Sequence, residues 1–158
     1  METRTEASAS RRRTRGHLPW EWIDRRLRSM REIWVATANA GGRPDAVPVW
    51  FWWDGEQIYF STKAESRKAR NLAQRPHVVL HNGDGADPII VKGEAERVED
   101  GEELQRVDQA YAEKYVAPES GERATIFVHG DVVLRVRPRL VLAWEYATCA
   151  YRTDWEFS

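Results

Sequence analysis

The sequence predicts a mainly β fold, a small closed or nearly closed β-barrel with a few helices. Three observations carry that expectation. About seven short runs of β-branched and aromatic residues recur at hairpin spacing. One pair of runs is joined by Asp54-Gly55, a dipeptide suited to a tight type I′ turn. Few stretches read as helices, two of them from apolar residues spaced by three and four. The 158 residues, 42% hydrophobic and 31% charged with net charge −1, describe a soluble chain able to bury one core. The single Cys149 has no partner for an internal disulfide. No apolar run approaches the ~20 residues of a membrane span. The charged N-terminus lacks the apolar stretch of a secretory signal. A cytoplasmic protein with no membrane partner is therefore expected.

Residues 1–17 carry five arginines (Arg4, Arg11, Arg12, Arg13, Arg15) against Glu2 and Glu6, which leaves +3, so the other 141 residues sum to −4. With Ser, Thr and Ala between these charges, the segment reads as a disordered basic N-terminal arm, and residues 18–158 as the folded domain. Pro19 opens a helix whose apolar positions are Trp20, Ile23, Leu27, Met30 and Ile33. Residues 33–38 read as a strand and Asn39 to Pro44 as a turn. Ala46 to Trp53 and Gln57 to Thr62 form the two arms of the Asp-Gly hairpin. Pro48 lacks an N–H for a sheet ladder, which puts its strand at an edge or a bulge. Alternation sets Trp50 and Trp52 on one face and Trp53 on the other, so at least one indole belongs to the core.

Ser66 to Gln74 reads as a short helix with Ser66 as N-cap, halted before Pro76. His77 to His81 is a strand and Asn82 to Pro88 a loop. Ile89 to Val98 alternates as a long strand, with Ile90, Lys92, Glu94 and Glu96 on one face and Ile89, Val91, Gly93 and Ala95 on the other. From Glu102, a helical stripe of Leu104, Val107, Tyr111 and Tyr115 follows. Three more strands are expected near Thr125–Val128, Val132–Arg137 and Leu140–Tyr146.

The chemistry-bearing stretch is Ser61-Thr62-Lys63-Ala64-Glu65-Ser66-Arg67-Lys68-Ala69-Arg70-Asn71. A strand ends in two hydroxyls, and a helix begins at once beside Lys63, Ser66, Arg67 and Lys68. Free first-turn amides, the helix dipole and cationic side chains converge there, the way proteins hold a phosphate. The dipole contributes only about 0.3–1 kcal/mol. Charge-assisted hydrogen bonds contribute about 1.5–3 kcal/mol each, so the side chains dominate. The same residues read equally as an ordinary capped surface helix with solvated bases. Next to this segment, the exposed backbone of Val47-Pro48-Val49-Trp50 suits the polar edge of a heterocycle, with Trp50 or Trp52 as a wall. Core or dimer packing is the alternative reading of that tryptophan cluster.

Taken in order, the strand, the Asp-Gly hairpin, "IYFST", "SRKARNLAQRP", a further strand and "VKGEAERV" resemble the pyridoxamine-phosphate-oxidase-like split-barrel superfamily of flavin and deazaflavin oxidoreductases. The resemblance runs from about Trp34 to Val98, with weaker echoes to the C-terminus. It implies a six-stranded split β-barrel of the FMN-binding type. It also implies a homodimer with two cofactors at the subunit interface. By position, Ser61, Thr62, Arg67 and Lys68 would hold the cofactor phosphate, with Lys63 and Ser66 close by, and Val47 to Trp50 would lie along the ring. Arg152-Thr-Asp-Trp155-Glu-Phe157 resembles the family's closing Thr-Arg-Trp-x-Phe pattern, although Arg152 and Trp155 do not adjoin; this adds Trp155 to the cofactor-binding set. True pyridoxamine phosphate oxidases carry a basic residue on the strand where this chain has Val47 to Trp50, and a partner-subunit glutamine where it has Pro88. Their C-terminal substrate-phosphate motif is missing. The wording lies closer to relatives that use FMN or the deazaflavin coenzyme F420, and it does not choose between the two.

The expected function is an oxidoreductase that transfers hydride or electrons to a small organic substrate. The cofactor would carry the chemistry, and no catalytic acid–base residue is assigned. A non-catalytic cofactor carrier or redox sensor is the alternative. A nucleic-acid binder using the arginine arm is disfavoured because the folded part is acidic and has no basic stripe. His81 reads as a structural imidazole ahead of a proton donor, and His77 and His129 more so. No metal site is expected, since His77, His81 and His129 lack ligand spacing and Asn82 to Gly85 lacks the pattern of a calcium loop.

Overall fold

Apolar residues that alternate along the strands turn to one interior, and this sets the wall of the molecule. The computed structural model describes residues 10–127, 131–148 and 152–158. Its strands are β1 (Arg11–Arg15), β2 (Glu32–Ala38), β3 (Pro44–Trp50), β4 (Trp52–Trp53), β5 (Ile58–Lys63), β6 (His77–His81), β7 (Ile89–Arg97), β8 (Asp131–Ala143) and β9 (Thr153–Phe157). The helices are α1 (Trp20–Ser29), α2 (Arg67–Gln74) and α3 (Gly101–Lys114). Every strand pairing is antiparallel, in the order β1-β9-β8-β7-β6-β2-β3. The long β8 carries β7 along one edge, while its other edge is shared by β5 over residues 131–136 and by β9 over residues 140–143. β4 pairs antiparallel with β5, and β3 runs beside β5 without pairing to it. The sheet thus curls into a barrel that stays open between β3 and β5. Among the described residues no helix is long and apolar enough to cross a membrane.

The barrel core contains Ile33, Val35, Phe51, Trp53, Ile58, Phe60, Leu80, Ile89, Val91, Val136 and Val141, plugged by Ile23 and Leu27 from α1. Full burial of each such side chain contributes about 1.5–3 kcal/mol. Trp53 is the core indole of its cluster, at 1% exposure, whereas Trp50 is 47% exposed. A second core lies outside the barrel, where Val107, Tyr111 and Tyr115 of the α3 stripe pack on Tyr59, Val98, Ile126 and Val133.

Several expectations are corrected. Nine strands replace the expected six among the described residues. Two of the additions are β9 and its partner β1, which occupies part of the expected loose arm. Its five residues are all exposed, so no apolar pattern announces it. What holds it is the β9 ladder and two guanidinium–indole contacts, Arg11 over Trp20 at 4.8 Å and Arg13 over Trp155 at 5.8 Å. Residues 1–9 of the arm lie outside the described residues, as do Val128, His129 and Cys149. The third addition comes from a break at Phe51, described below.

The helix opened by Pro19 stops at Ser29, and Ile33 belongs to β2. Thr125 to Phe127 form no strand. Instead Asp108 accepts from the Ile126 amide (2.8 Å) and the Thr125 hydroxyl (2.6 Å), fixing buried Ile126 beneath α3. The two strands expected at Val132–Arg137 and Leu140–Tyr146 are one strand, β8. Pro138 is tolerated inside it because it faces Gly93 at a register shift of the β7–β8 ladder. A Cβ on Gly93 would collide with the carbonyl oxygen of Arg137, so this close approach requires glycine. The hairpin at Asp54-Gly55 is present with a four-residue connection in place of a two-residue turn. Asp54 Oδ1 accepts from the amides of Glu56 (2.7 Å) and Gln57 (2.6 Å), and Gly55 takes φ +104°.

Candidate functional site

β5 delivers Ser61, Thr62 and Lys63 at its end, and the chain turns directly into α2. Ser66 caps that helix, its Oγ accepting from the Ala69 amide at 3.2 Å, and its carbonyl takes the Arg70 amide at 3.0 Å. The buried Thr62 hydroxyl lies 3.0 Å from Ser66 Oγ, which ties strand end to helix start. Lys63 and Arg67 are exposed and Lys68 half-buried. The structure therefore brings Ser61, Thr62, Lys63, Ser66, Arg67 and Lys68 to one corner of the barrel. The first-turn amides of α2, which a helix leaves without internal acceptors, open at the same corner. The base of α2 is fixed by Asn71 Nδ2, which donates to the buried Thr37 hydroxyl at 2.9 Å. A cleft of about 480 Å³ between the β2–β3 turn and α2 is lined by Arg43, Asp45, Arg67, Arg70 and Asn71. Arg43 and Arg70 were not singled out from the sequence; the i, i+3 spacing of Arg67 and Arg70 was the available signal for the second.

β3 is the sheet's terminal strand on this side and pairs only with β2, with Pro48 opposite Trp34. The edge position expected from Pro48 is thus observed. Val47 and Val49 are half-buried, Pro48 and Trp50 exposed. Backbone groups of Val47 to Trp50 on the side away from β2 have no strand partner. Phosphate-type donors at 61–68 and an unpaired strand edge at 47–50 meet the needs of a ligand with an anionic tail and a flat, hydrogen-bonding ring. The donor set present therefore fits a flavin- or deazaflavin-type cofactor.

Trp155 lies elsewhere in the chain. It sits on β9 opposite Val141, edge-on to Trp20 at 5.5 Å, with its Nε1 donating to the Leu18 carbonyl at 3.3 Å. Within one chain it is not among the residues brought to the 61–68 corner. His81 stacks parallel to Trp34 (6.3 Å, 2°), and its Nδ1 lies 2.8 Å from the Asn82 carbonyl oxygen, the bonded structural imidazole expected of it. Among the described residues no group of three or more His, Cys, Asp or Glu side chains is placed to hold a metal ion.

A second set of residues was missed by sequence reasoning. Phe51, fully buried between β3 and β4, bonds to no strand. Its amide donates to Tyr115 Oη (2.9 Å), and the same hydroxyl lies 2.6 Å from the Arg31 carbonyl and 2.7 Å from that of Phe51. Lys114 Nζ donates to the Phe51 carbonyl at 3.0 Å and sits 4.0 Å above the Phe51 ring. Burial, aided by the nearby charge of Arg31, pushes the Lys114 ammonium down to about 8, and burial raises the Tyr115 hydroxyl above the ordinary phenol range. The end of α3 thus clamps the peptide at which β3 leaves one ladder and β4 joins another. Only the last position of the α3 stripe, Tyr115, hinted at this contact.

Comparisons with known proteins bear on the family and the fold. The family profile described as pyridoxamine 5'-phosphate oxidase matches residues 21–145. Among solved structures, a conserved hypothetical protein (Rv2991) of Mycobacterium tuberculosis is 26% identical, with TM-score 0.69 over 91% of each chain. A pyridoxamine 5'-phosphate oxidase-related, FMN-binding protein of Nostoc punctiforme is 19% identical, with TM-score 0.59 over 90% of this chain and 97% of that one. An F420 reductase is 25% identical, with TM-score 0.52 over 72% of this chain and 90% of that one. A heme-binding and a heme storage protein share the fold as well. No curated protein matches the chain significantly.

Proposed function

Because the chain belongs to the pyridoxamine 5'-phosphate oxidase family, we propose that it is a cytoplasmic, homodimeric oxidoreductase that binds FMN or coenzyme F420 and reduces or oxidises a small organic substrate. The observation that carries this reading is the juxtaposition of the 61–68 corner with the unpaired edge of β3. Ser61, Thr62, Lys63, Ser66, Arg67 and Lys68 would hold the phosphate, and Val47, Pro48, Val49 and Trp50 would lie along the ring. The bound group supplies hydride or electron transfer. The protein's own part is positional. The Thr62–Ser66 contact and the Ser66 cap fix the amides and hydroxyls. Arg67 and Lys68 neutralise the tail, and the clamp on Phe51 holds the ring-bearing edge in place.

Trp155 would reach a cofactor only across the subunit interface of a dimer, since its own chain packs it against Trp20. A non-catalytic carrier or redox sensor is the second reading, favoured by the engagement of His81 with backbone and Trp34. Nucleic-acid binding by β1 loses Arg11 and Arg13 to their indole contacts.

The deciding experiment is a side-by-side titration of the purified protein with FMN and with F420, read by visible absorbance and fluorescence. Saturable binding of one or both is the expected result, and failure to take up either one removes the reading. Turnover of the loaded protein with quinones, enones and nitro compounds then separates enzyme from carrier.

A further inference from the structure

Beside the ring-bearing edge lies a cleft of about 400 Å³ that shares only Trp50 with the proposed cofactor contacts, lined by Arg31, Trp50, Tyr115, residues 116–118 and 122–124. Its floor is aromatic. Trp50 stacks on Tyr115 with centroids 4.7 Å apart and planes 4° from parallel, so one face of the indole is covered. Trp50 remains 47% exposed, and that exposure belongs to its other face and rim. The Arg31 guanidinium is 5.5 Å from the Trp50 centroid and 5.4 Å from that of Tyr115. Being equally far from both rings, it flanks the stack and leaves the outer indole face open.

The opposite wall is a built turn. Val116 bridges Arg123, the Ala117 amide donates to the Glu122 carbonyl (2.8 Å), and the Ala124 amide donates to the Tyr115 carbonyl (2.9 Å). Charge in the cleft is unbalanced. Arg31 and Arg123 face it with no carboxylate in ion-pair distance among the described residues, against the single acid Glu122. Lys114 behind the stack adds a third cation, whose proton affinity is lowered first by burial and second by the charge of Arg31.

We propose that this cleft binds a planar aromatic or conjugated carboxylate, its π-system laid on the open face of Trp50 and its carboxylate held by Arg31 and Arg123. As the substrate of the proposed oxidoreductase this ligand rests on that reading; its binding as such does not. A flat apolar body is matched by the indole face and the residue 116–118 wall, and an anion by the two guanidiniums.

The test is calorimetric titration of the full chain with cinnamate and with cinnamamide, its neutral counterpart of the same shape, with and without saturating FMN. Cinnamate is expected to bind at least about tenfold more tightly than cinnamamide. Arg31→Met is expected to erase that preference while leaving cinnamamide within about twofold, and Trp50→Ala to weaken both ligands. Arg123→Gln, on an exposed turn, repeats the charge test should Arg31→Met melt early. Equal affinity for the two ligands, no binding of either, or displacement of cinnamate by FMN would overturn the proposal; the last would assign the cleft to the cofactor's ring. Cinnamate bound with neither FMN nor F420 taken up leaves the cleft standing and removes the oxidoreductase. Cofactor bound with cinnamate ignored does the reverse.

Discussion

The corner at the start of α2 and the clamp at the end of α3 flank the same strand edge, yet they are built by opposite means. The corner is assembled from residues within one short stretch, joined by a local cap and a hydroxyl pair four residues apart, with Lys63 and Arg67 exposed and Lys68 half-buried. The clamp joins residues 64 positions apart, and its central hydroxyl is buried with Tyr115 at 2% exposure. Solvated cations contribute little to folding but remain available to a ligand. A buried hydroxyl that satisfies a strand break contributes to folding and is closed to ligands. The difference separates binding from stability: substitutions at the corner should change affinity, and substitutions at the clamp should change the fold first.

The largest expected effect lies at the clamp. Tyr115→Ala removes a buried ring and orphans the Phe51 amide, and should cost about 3–5 kcal/mol of stability in denaturant unfolding. Tyr115→Phe keeps the stack and should cost about 1–3 kcal/mol. A loss below that from either would dissolve the contrast. Next comes the corner: replacing Arg67 and Lys68 together by Ala should weaken FMN or F420 binding by about 3 kcal/mol, roughly a hundredfold, from two lost charge-assisted contacts. The same double variant should unfold within about 0.5 kcal/mol of the parent. Unchanged affinity would remove the corner as the phosphate seat.

Ser66→Ala sits between the two cases, because it strips a cap that serves both roles. About 1 kcal/mol of stability should go with it, measured by thermal melts, together with some affinity. A pH signature at Lys114 sharpens the clamp side of the comparison. Its proton affinity in the folded chain is lowered to about 8, below the 10.5 of a free lysine. Between those values the unfolded chain holds the proton and the folded chain has released it, so stability gains as pH rises across that window. Compared with Lys114→Met, which cannot titrate, the parent should gain stability from pH 8 toward about 10. A constant difference across that range would show that burial does not strain this lysine.

What the sequence revealed follows the same division. Ser66, the strand end at Ser61-Thr62 and the cations after it were legible because cap, dipole and charge act within one turn. Pro48 was legible as an edge residue because a missing N–H is a property of the residue alone. The alternation of Ile89 to Glu96 was likewise readable as an inside and an outside. β1 was not, since its exposed arginines pair with Phe157, Glu156 and Trp155 across the length of the chain. The break at Phe51 was hidden because the group that satisfies it comes from α3. β8 was read as two strands because Pro138 normally ends one, and the gap that admits it is set by Gly93 on the neighbouring strand. The membership shown by residues 21–145 agrees with the motifs, while the choice between FMN and F420 depends on contacts those motifs do not encode.

The tight crossing at Gly93 makes that codon a built-in gauge for library work. In a saturation scan sorted for soluble expression, every replacement at position 93 should vanish, whereas most replacements at positions 67 and 68 should survive. Screened afterwards for colour or emission, the survivors would separate loss of ligand from loss of architecture without any single variant being purified.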